Sequence, residues 1–152
     1  MEVDLNGVFN TLRAVSPVLK AQGSGSIVVT ASTAGLRPEP LVGYAYVAAK
    51  AAVVNLVKQA AIELVQYGVR VNAIAPGSFA TDIGAGKVQS KHYGEVWMRA
   101  LPMGRVGQPD EIKGICLLLA SPASSFVTGS VWTIDGGATA LTQGGVPHYP
   151  DI

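Results

Sequence analysis

Apolar residues recur along this chain in two rhythms. Val3, Val8, Phe9, Leu12, Val15 and Leu19 fall at helical spacing, which predicts a first helix bent near its end by Pro17. After the turn Gly23-Ser24-Gly25, the run Ser26-Ile-Val-Val-Thr-Ala31 is short, continuous and β-branched, as in a strand buried on both faces. A loop with Pro38 and Pro40 leads to a long helix from about Val42 to Tyr67, ended by Gly68. Val69 to Ala75 reads as a second buried strand, stopped by Pro76-Gly77. Ser78 to Met103 is polar and dotted with glycine, with one helix expected from about Ser90 to Ala100. Pro109-Asp110-Glu111 puts proline and two acids in the first turn of a further helix, running to about Ala120. A third strand is expected near 130–135, closed by Asp135-Gly136-Gly137.

Helices alternating with buried strands predict an α/β fold, a parallel sheet covered by helices on both faces. Residues 1–140 are read as one domain and 141–152 as a tail, with neither internal repeat nor linker. In such sheets ligands bind at the carboxyl ends of the strands. Those ends are Thr30-Ala31-Ser32, Ala75-Pro76-Gly77 and Asp135-Gly136.

Composition narrows the function. Eleven basic and ten acidic residues leave a charge of +1, which argues against nucleic acid or an anionic membrane as partner. Charged residues are 14% of the chain against a typical ~25%, so part of the surface is expected to be covered by a partner. The dense apolar stretch Ile115 to Ala120 is far shorter than the ~20 residues of a membrane span. The acidic start Met1-Glu2-Val3-Asp4 is unlike a signal peptide, and one cysteine, Cys116, makes no internal disulfide. A soluble protein of the reducing cytoplasm is the expectation. No Cys/His cluster has zinc spacing, and His92 and His148 read as surface residues.

The candidate chemistry lies at the strand ends. Tyr46 and Lys50 are spaced i, i+4 on the long helix, opposite a solvated stripe of Asn55, Lys58, Gln59, Glu63 and Gln66. Both therefore point toward the sheet. A lysine aimed inward is costly unless its charge is used. A tyrosine of ordinary pKa ~10 beside a fixed ammonium has a stabilised phenolate and can serve as acid or base nearer neutrality. Taken alone, a Tyr-x-x-x-Lys pair is more often a core tyrosine with a snorkelling lysine. Ser32, just past the first strand, adds a hydroxyl that can polarise a carbonyl in the same crevice, although serine there is by itself more often a turn residue. Pro76-Gly77 with Thr81 could offer amides and a hydroxyl to a ligand amide.

Together these pieces resemble the short-chain dehydrogenase/reductase family over roughly Val3 to Ala140. The matching segments are Ser26-Ile-Val-Val-Thr-Ala-Ser32-Thr-Ala-Gly35, Tyr46-Val-Ala-Ala-Lys50, and Val69-Arg-Val-Asn72-Ala-Ile-Ala-Pro76-Gly77 with Thr81. Arg105-Val-Gly107-Gln-Pro109-Asp-Glu111, Phe126-Val-Thr-Gly129 and Asp135-Gly-Gly137 complete them. The resemblance implies a Rossmann-like fold and an oxidoreductase that interconverts a secondary alcohol and a ketone with NAD or NADP. By the same resemblance Ser32 orients the substrate oxygen and Tyr46 transfers the proton. Lys50 lowers the tyrosine's pKa and holds the nicotinamide ribose. Thr81 and the backbone of Pro76, Gly77 and Phe79 hold the carboxamide. Tyr44, six residues before Lys50, is out of the i, i+4 relation.

Two departures stand out. Where the family usually has asparagine, three residues before the glycine of the first helix's motif, this chain has Asp4, with Asn6 out of register; an aspartate there could pair with Lys50. The strand, Gly-rich phosphate turn and ribose selector with which family members begin are also lacking, so the chain enters the pattern midway, and Gly84-Ala-Gly86 opens no dinucleotide motif. A rival reading is therefore a truncated, non-catalytic fragment acting through association with other subunits. The helix over 42–67 supports homo-oligomer formation, because Ala48, Ala51, Ala52 and Ile62 flank its solvated stripe.

Overall fold

A computed structural model describes residues 1–39, 42–81 and 101–141. The chain opens on a π-helical turn, Glu2–Asn6, that continues into α1, Gly7–Gln22. Strand β1 is Gly25–Thr30, α2 is Tyr44–Leu64, and β2 is Val69–Pro76. A 3-10 turn, Pro109–Ile112, leads into α3, Lys113–Ala120, and β3 is Val131–Ile134. The three strands form a parallel sheet in the order β1-β2-β3, with Gly25 beside Val69 and Ala73 beside Val131. The α/β reading and all three strands are thus present. The helix expected over 90–100, the tail from 142 onward, and both histidines lie outside the described residues.

Period-two alternation in the strands explains the two covered faces. Ile27 and Val29 of β1 and Val69, Val71 and Ala73 of β2 join Leu12 of α1 and Val53, Val57, Ala61 and Leu64 of α2 in one apolar core. Residues between them face the other way. The Ser26 hydroxyl donates to the Leu119 carbonyl of α3 at 2.7 Å. Arg70 donates to the Ser124 hydroxyl and to the Ser121 and Val127 carbonyls. Leu119 is fully buried there.

The first helix buries part of the stripe its spacing predicts and turns the rest outward. Val3 and Phe9 are exposed, whereas Leu5, Val8, Leu12 and Leu19 meet the core. The π-helical first turn rotates the side chains that precede Gly7, which puts Leu5 rather than Val3 on the sheet side. Helix α1 continues through Pro17 to Gln22, where Gly23 ends it in the left-handed region. Beside it Gly68 ends the turn after α2 at φ +71°, and a Cβ on Gly68 would stand 2.4 Å from the Gly23 carbonyl oxygen. Two helix-terminating turns therefore touch backbone to backbone below the sheet, a contact that needs glycine.

By length and composition α2 with its last turn, Tyr44–Tyr67, could cross a membrane. Its packing accounts for that apolarity otherwise, since seven of its residues, Ala49 and Lys50 among them, are buried. Asn55, Lys58, Gln59, Glu63 and Gln66 are all exposed, as the solvated stripe requires. Beside the stripe Ala48 and Ile62 are exposed and Ala51 and Ala52 half-buried.

Candidate active site at the strand ends

Ser32 follows β1 with extended backbone and is 8% exposed. Its Oγ accepts from the Ala34 N–H at 3.2 Å, capping the 3-10 turn Thr33–Gly35. That leaves the hydroxyl proton available for donation. Thr33 Oγ1 donates to the Pro76 carbonyl at 3.3 Å, so the ends of β1 and β2 are tied by a side chain. Gly35 completes the turn against α2, where a Cβ would lie 2.5 Å from the Lys50 carbonyl oxygen and 2.7 Å from its carbon. The Ser32 turn and the Lys50 segment are therefore one packed unit.

Lys50 does not snorkel. Its side chain is 10% exposed, and Nζ donates to the Thr30 carbonyl at 3.3 Å. The Asp4 carboxylate stands 3.5 Å from the same nitrogen. The centroid of the Tyr46 ring is 5.6 Å away, one helical turn before Lys50. Tyr46 is half-buried, whereas Tyr44 is 90% exposed, which separates the two tyrosines as the spacing implies. Register at the N-terminus is resolved in the same way: Asp4 faces Lys50, and Asn6 donates to Glu2 at the surface.

The turn after β2 is held by its own hydrogen bonds. The Gly77 N–H donates to Ile134, Ala80 to Gly107 and Thr81 to Phe79, all backbone carbonyls, and the Gly107 N–H returns to Ser78. Those three amides of the Pro76–Thr81 segment are thus used within the chain, which narrows what that backbone offers a ligand. Phe79 lays its ring over Gly107. With Ser78, Met103, Arg105, Thr133 and Asp135 it lines a cavity of about 370 Å³. Of the candidate residues Phe79 lines this cavity, while Ser32, Tyr46 and Lys50 lie at the end of β1 and the start of α2.

Charge at the pocket is fixed by pairing. Both guanidinium arms of Arg105 donate to Glu111 at 2.7 Å, and the Gln108 N–H donates to the same carboxylate. The Arg105 hydrogen bond, aided by that amide, lowers the Glu111 pKa to about 2. Burial pushes the Asp135 carboxyl up, but hydrogen bonds from Thr139 and Gly137 and the charge of Arg37 outweigh it, leaving a net lowering.

Asn72 is a structural residue that the sequence reading left unexplained. It is fully buried, donates to the Val127 carbonyl at 2.9 Å and accepts from the Ser130 N–H at 3.1 Å. With Arg70 it ties the segment after α3 to β2. The available signal was a lone amide in an apolar, doubly buried strand. Among the described residues no group of three His, Cys, Asp or Glu side chains could hold a metal ion.

Residues 1–139 match the family profile described as enoyl-(acyl carrier protein) reductase. The galactitol 2-dehydrogenase (L-tagatose-forming) of Cereibacter sphaeroides is 41% identical over 140 residues, which are 91% of this chain and 55% of that protein. A gluconate 5-dehydrogenase from Burkholderia cenocepacia, solved with NADP and tartrate, superposes with a TM-score of 0.89 at 36% identity, over 93% of this chain and 55% of that one. A 3-oxoacyl-[acyl-carrier protein] reductase from Brucella melitensis with bound NAD gives 0.81 at 40% identity, over 89% and 48%. The chain spans about half the length of these relatives. Fold and relatives agree, and the chain belongs to the short-chain dehydrogenase/reductase family.

Proposed function

We propose that this chain carries the proton-transfer side of an NAD- or NADP-dependent oxidoreductase site that interconverts a secondary alcohol and a ketone. The observation that carries the reading is Lys50: a buried ammonium, held by the Thr30 carbonyl and Asp4 with the Tyr46 ring 5.6 Å away. Burial alone accounts for the pairing of the lysine; what favours a proton-exchanging tyrosine is that the ring stands one helical turn away, where a phenolate gains from the ammonium. In the oxidative direction Tyr46 takes the hydroxyl proton of the alcohol as phenolate, and in the reductive direction its phenol returns it to the carbonyl oxygen. Ser32, with Oγ already accepting from Ala34, donates its proton to that oxygen and orients it. Lys50 stabilises the phenolate through its charge.

The donor set fits the nicotinamide-ribose end of the cofactor. Lys50 offers ammonium N–H groups and Tyr46 a hydroxyl to ribose hydroxyls, and the Pro76–Thr81 turn stands at the neighbouring strand end beside them. When bound, NAD or NADP supplies the acceptor or donor of the hydride at the alcohol carbon. Support comes from the solved relatives with NADP and with NAD, and two of the three relatives named act by title on a polyol or a sugar acid, which favours a polyhydroxy substrate.

The test is an absorbance assay of the chain extended at its N-terminus by the glycine-rich cofactor-binding half of a relative, with NADH and NADPH against ketoses, keto-sugar acids and 3-oxoacyl thioesters. Wild type is expected to turn over one of these classes. Tyr46→Phe, which removes only a hydroxyl, is expected to lose about 10²–10⁴-fold in kcat. Undiminished turnover by the variant overturns the reading.

A further inference from the structure

We propose that Arg37 is a specificity-determining residue, whose guanidinium receives an anionic group, carboxylate or phosphate, on the substrate. The proposal rests on the reading of Ser32 and Tyr46 as the holders of the reacting oxygen, and deepens it by naming an anionic substrate class. Arg37 lies on the loop that joins those two residues, soon after Ser32. Its backbone N–H donates to the Thr33 carbonyl at 3.2 Å, and the Thr33 hydroxyl donates to the Pro76 carbonyl. The base of Arg37 is therefore fixed over the ends of β1 and β2. Its charge reaches Asp135 at the end of β3. The arginine thus stands among the strand ends, where sheets of this kind bind their ligands.

Its guanidinium is half-buried, yet among the described residues it makes neither a hydrogen bond nor an ion pair. The other cations drawn into the fold are engaged. Lys50 is held by Thr30 and Asp4, and Arg70 donates to Ser121, Ser124 and Val127. Arg105 and Lys113 pair with Glu111 and Asp110, and Lys20 lies over the Tyr67 ring. Arg13 and Lys58 are exposed. Two carboxylates lie near enough to matter. Asp135 turns one oxygen to the Gly137 N–H and the other to the Thr139 N–H and hydroxyl, so three donors already meet its charge. Glu39, beyond Pro38, forms no ion pair with Arg37 either. A planar fork of donors, partly withdrawn from water and unpaired, is matched by the paired oxygens of a carboxylate or phosphate.

The experiment needs neither cofactor nor turnover. The ¹⁵N-labelled 152-residue chain is titrated at constant ionic strength with gluconate, sorbitol and sorbitol 6-phosphate, and the backbone amides of Ser32 to Arg37 are followed by NMR. Gluconate and sorbitol differ at one end, carboxylate against hydroxymethyl, and the phosphate ester shows which anionic group is preferred. At least one of the two anions is expected to bind about tenfold or more tighter than sorbitol. Arg37→Gln should abolish that preference. Arg37→Lys, which keeps the charge and loses the fork, should weaken the anion severalfold, and Arg13→Gln should leave it unchanged. Equal binding of anions and sorbitol by wild type overturns the proposal, as does the absence of any saturable shift. So does a preference that persists undiminished in whichever Arg37 variant folds. Undiminished turnover by Tyr46→Phe would instead sink the functional reading, so the two failures are distinguishable.

Discussion

Gly35 lies so close to Lys50 that a single added methyl would stand 2.5 Å from the lysine's backbone carbonyl oxygen. The obstacle is main chain, which cannot swing aside as the tip of a side chain would. Gly35→Ala must therefore push the Ser32 turn away from α2. An overpacking cost of about 1–3 kcal/mol is expected in urea unfolding. Activity at saturating substrate should fall as well, because Ser32 and Lys50 lose their common seat. An unchanged denaturation midpoint would show that the turn has room.

Asn72 offers a second test of packing. Truncation to alanine leaves the Ser130 N–H without its partner in the interior and the Val127 carbonyl with Arg70 alone. A loss of about 1–3 kcal/mol per unsatisfied group applies, giving a large drop in thermal midpoint with the secondary structure of the remaining fold preserved. Asn72→Asp should be no milder, because one oxygen must then face a carbonyl. A variant as stable as wild type would mean that the loop after α3 is not held by this amide.

Acid should weaken the fold through Glu111. Its folded pKa is about 2 against an ordinary 4.5, so its stabilising contribution is complete above pH 4.5 and is lost as the pH falls toward 2. Asp135, also lowered, acts with the same sign. In Glu111→Gln the stability measured between pH 7 and 2 should fall less steeply than in wild type, and the two curves should converge at the acid end. Parallel curves would remove Glu111 from the account.

Cofactor affinity is expected to be low for the chain by itself. Dinucleotides gain much of their affinity from a pyrophosphate at a helix N-terminus. Among the described residues, the start of α1 follows a π-helical turn and α3 a 3-10 turn, neither of them a strand with a glycine-rich turn. The contacts available at Tyr46 and Lys50 are worth about 0.5–1.5 kcal/mol each, somewhat more where charged, against an association cost of at least ~4 kcal/mol. Titration with NADH and NADPH by fluorescence should show no saturation below the millimolar range. Micromolar binding by the monomer would contradict this.

Local rules made much of this fold legible. Ile27 to Thr30 are β-branched throughout, and Val69 to Ala75 are β-branched or small and apolar apart from Arg70 and Asn72, a pattern that suits a doubly covered strand. The i, i+4 relation separated Tyr46 from Tyr44, and the Asp4 register anticipated its approach to Lys50. Other features depend on residues distant in sequence. Thr33 reaches Pro76 across 43 positions and Arg70 reaches Ser124 across 54. No periodicity within a segment encodes such pairs. The outward turn of Val3 and Phe9 was equally hidden, because helical spacing gives a stripe without saying which side of it meets the sheet.

The contact between Gly23 and Gly68 sits where β1 and β2 begin, whereas Ser32 and Pro76 sit where they end, about 20 Å away by strand length. The sheet therefore has a seam at one pole and a reactive corner at the other, with the shared apolar core on one face of the strands between them. Stability and chemistry can consequently drift apart: residues at the seam are open to selection or engineering for thermal endurance, while those at the corner answer to substrate and pH. A mutational survey of this chain should sort into two populations along the strand axis, one changing how long the protein lasts and the other what it does while it lasts.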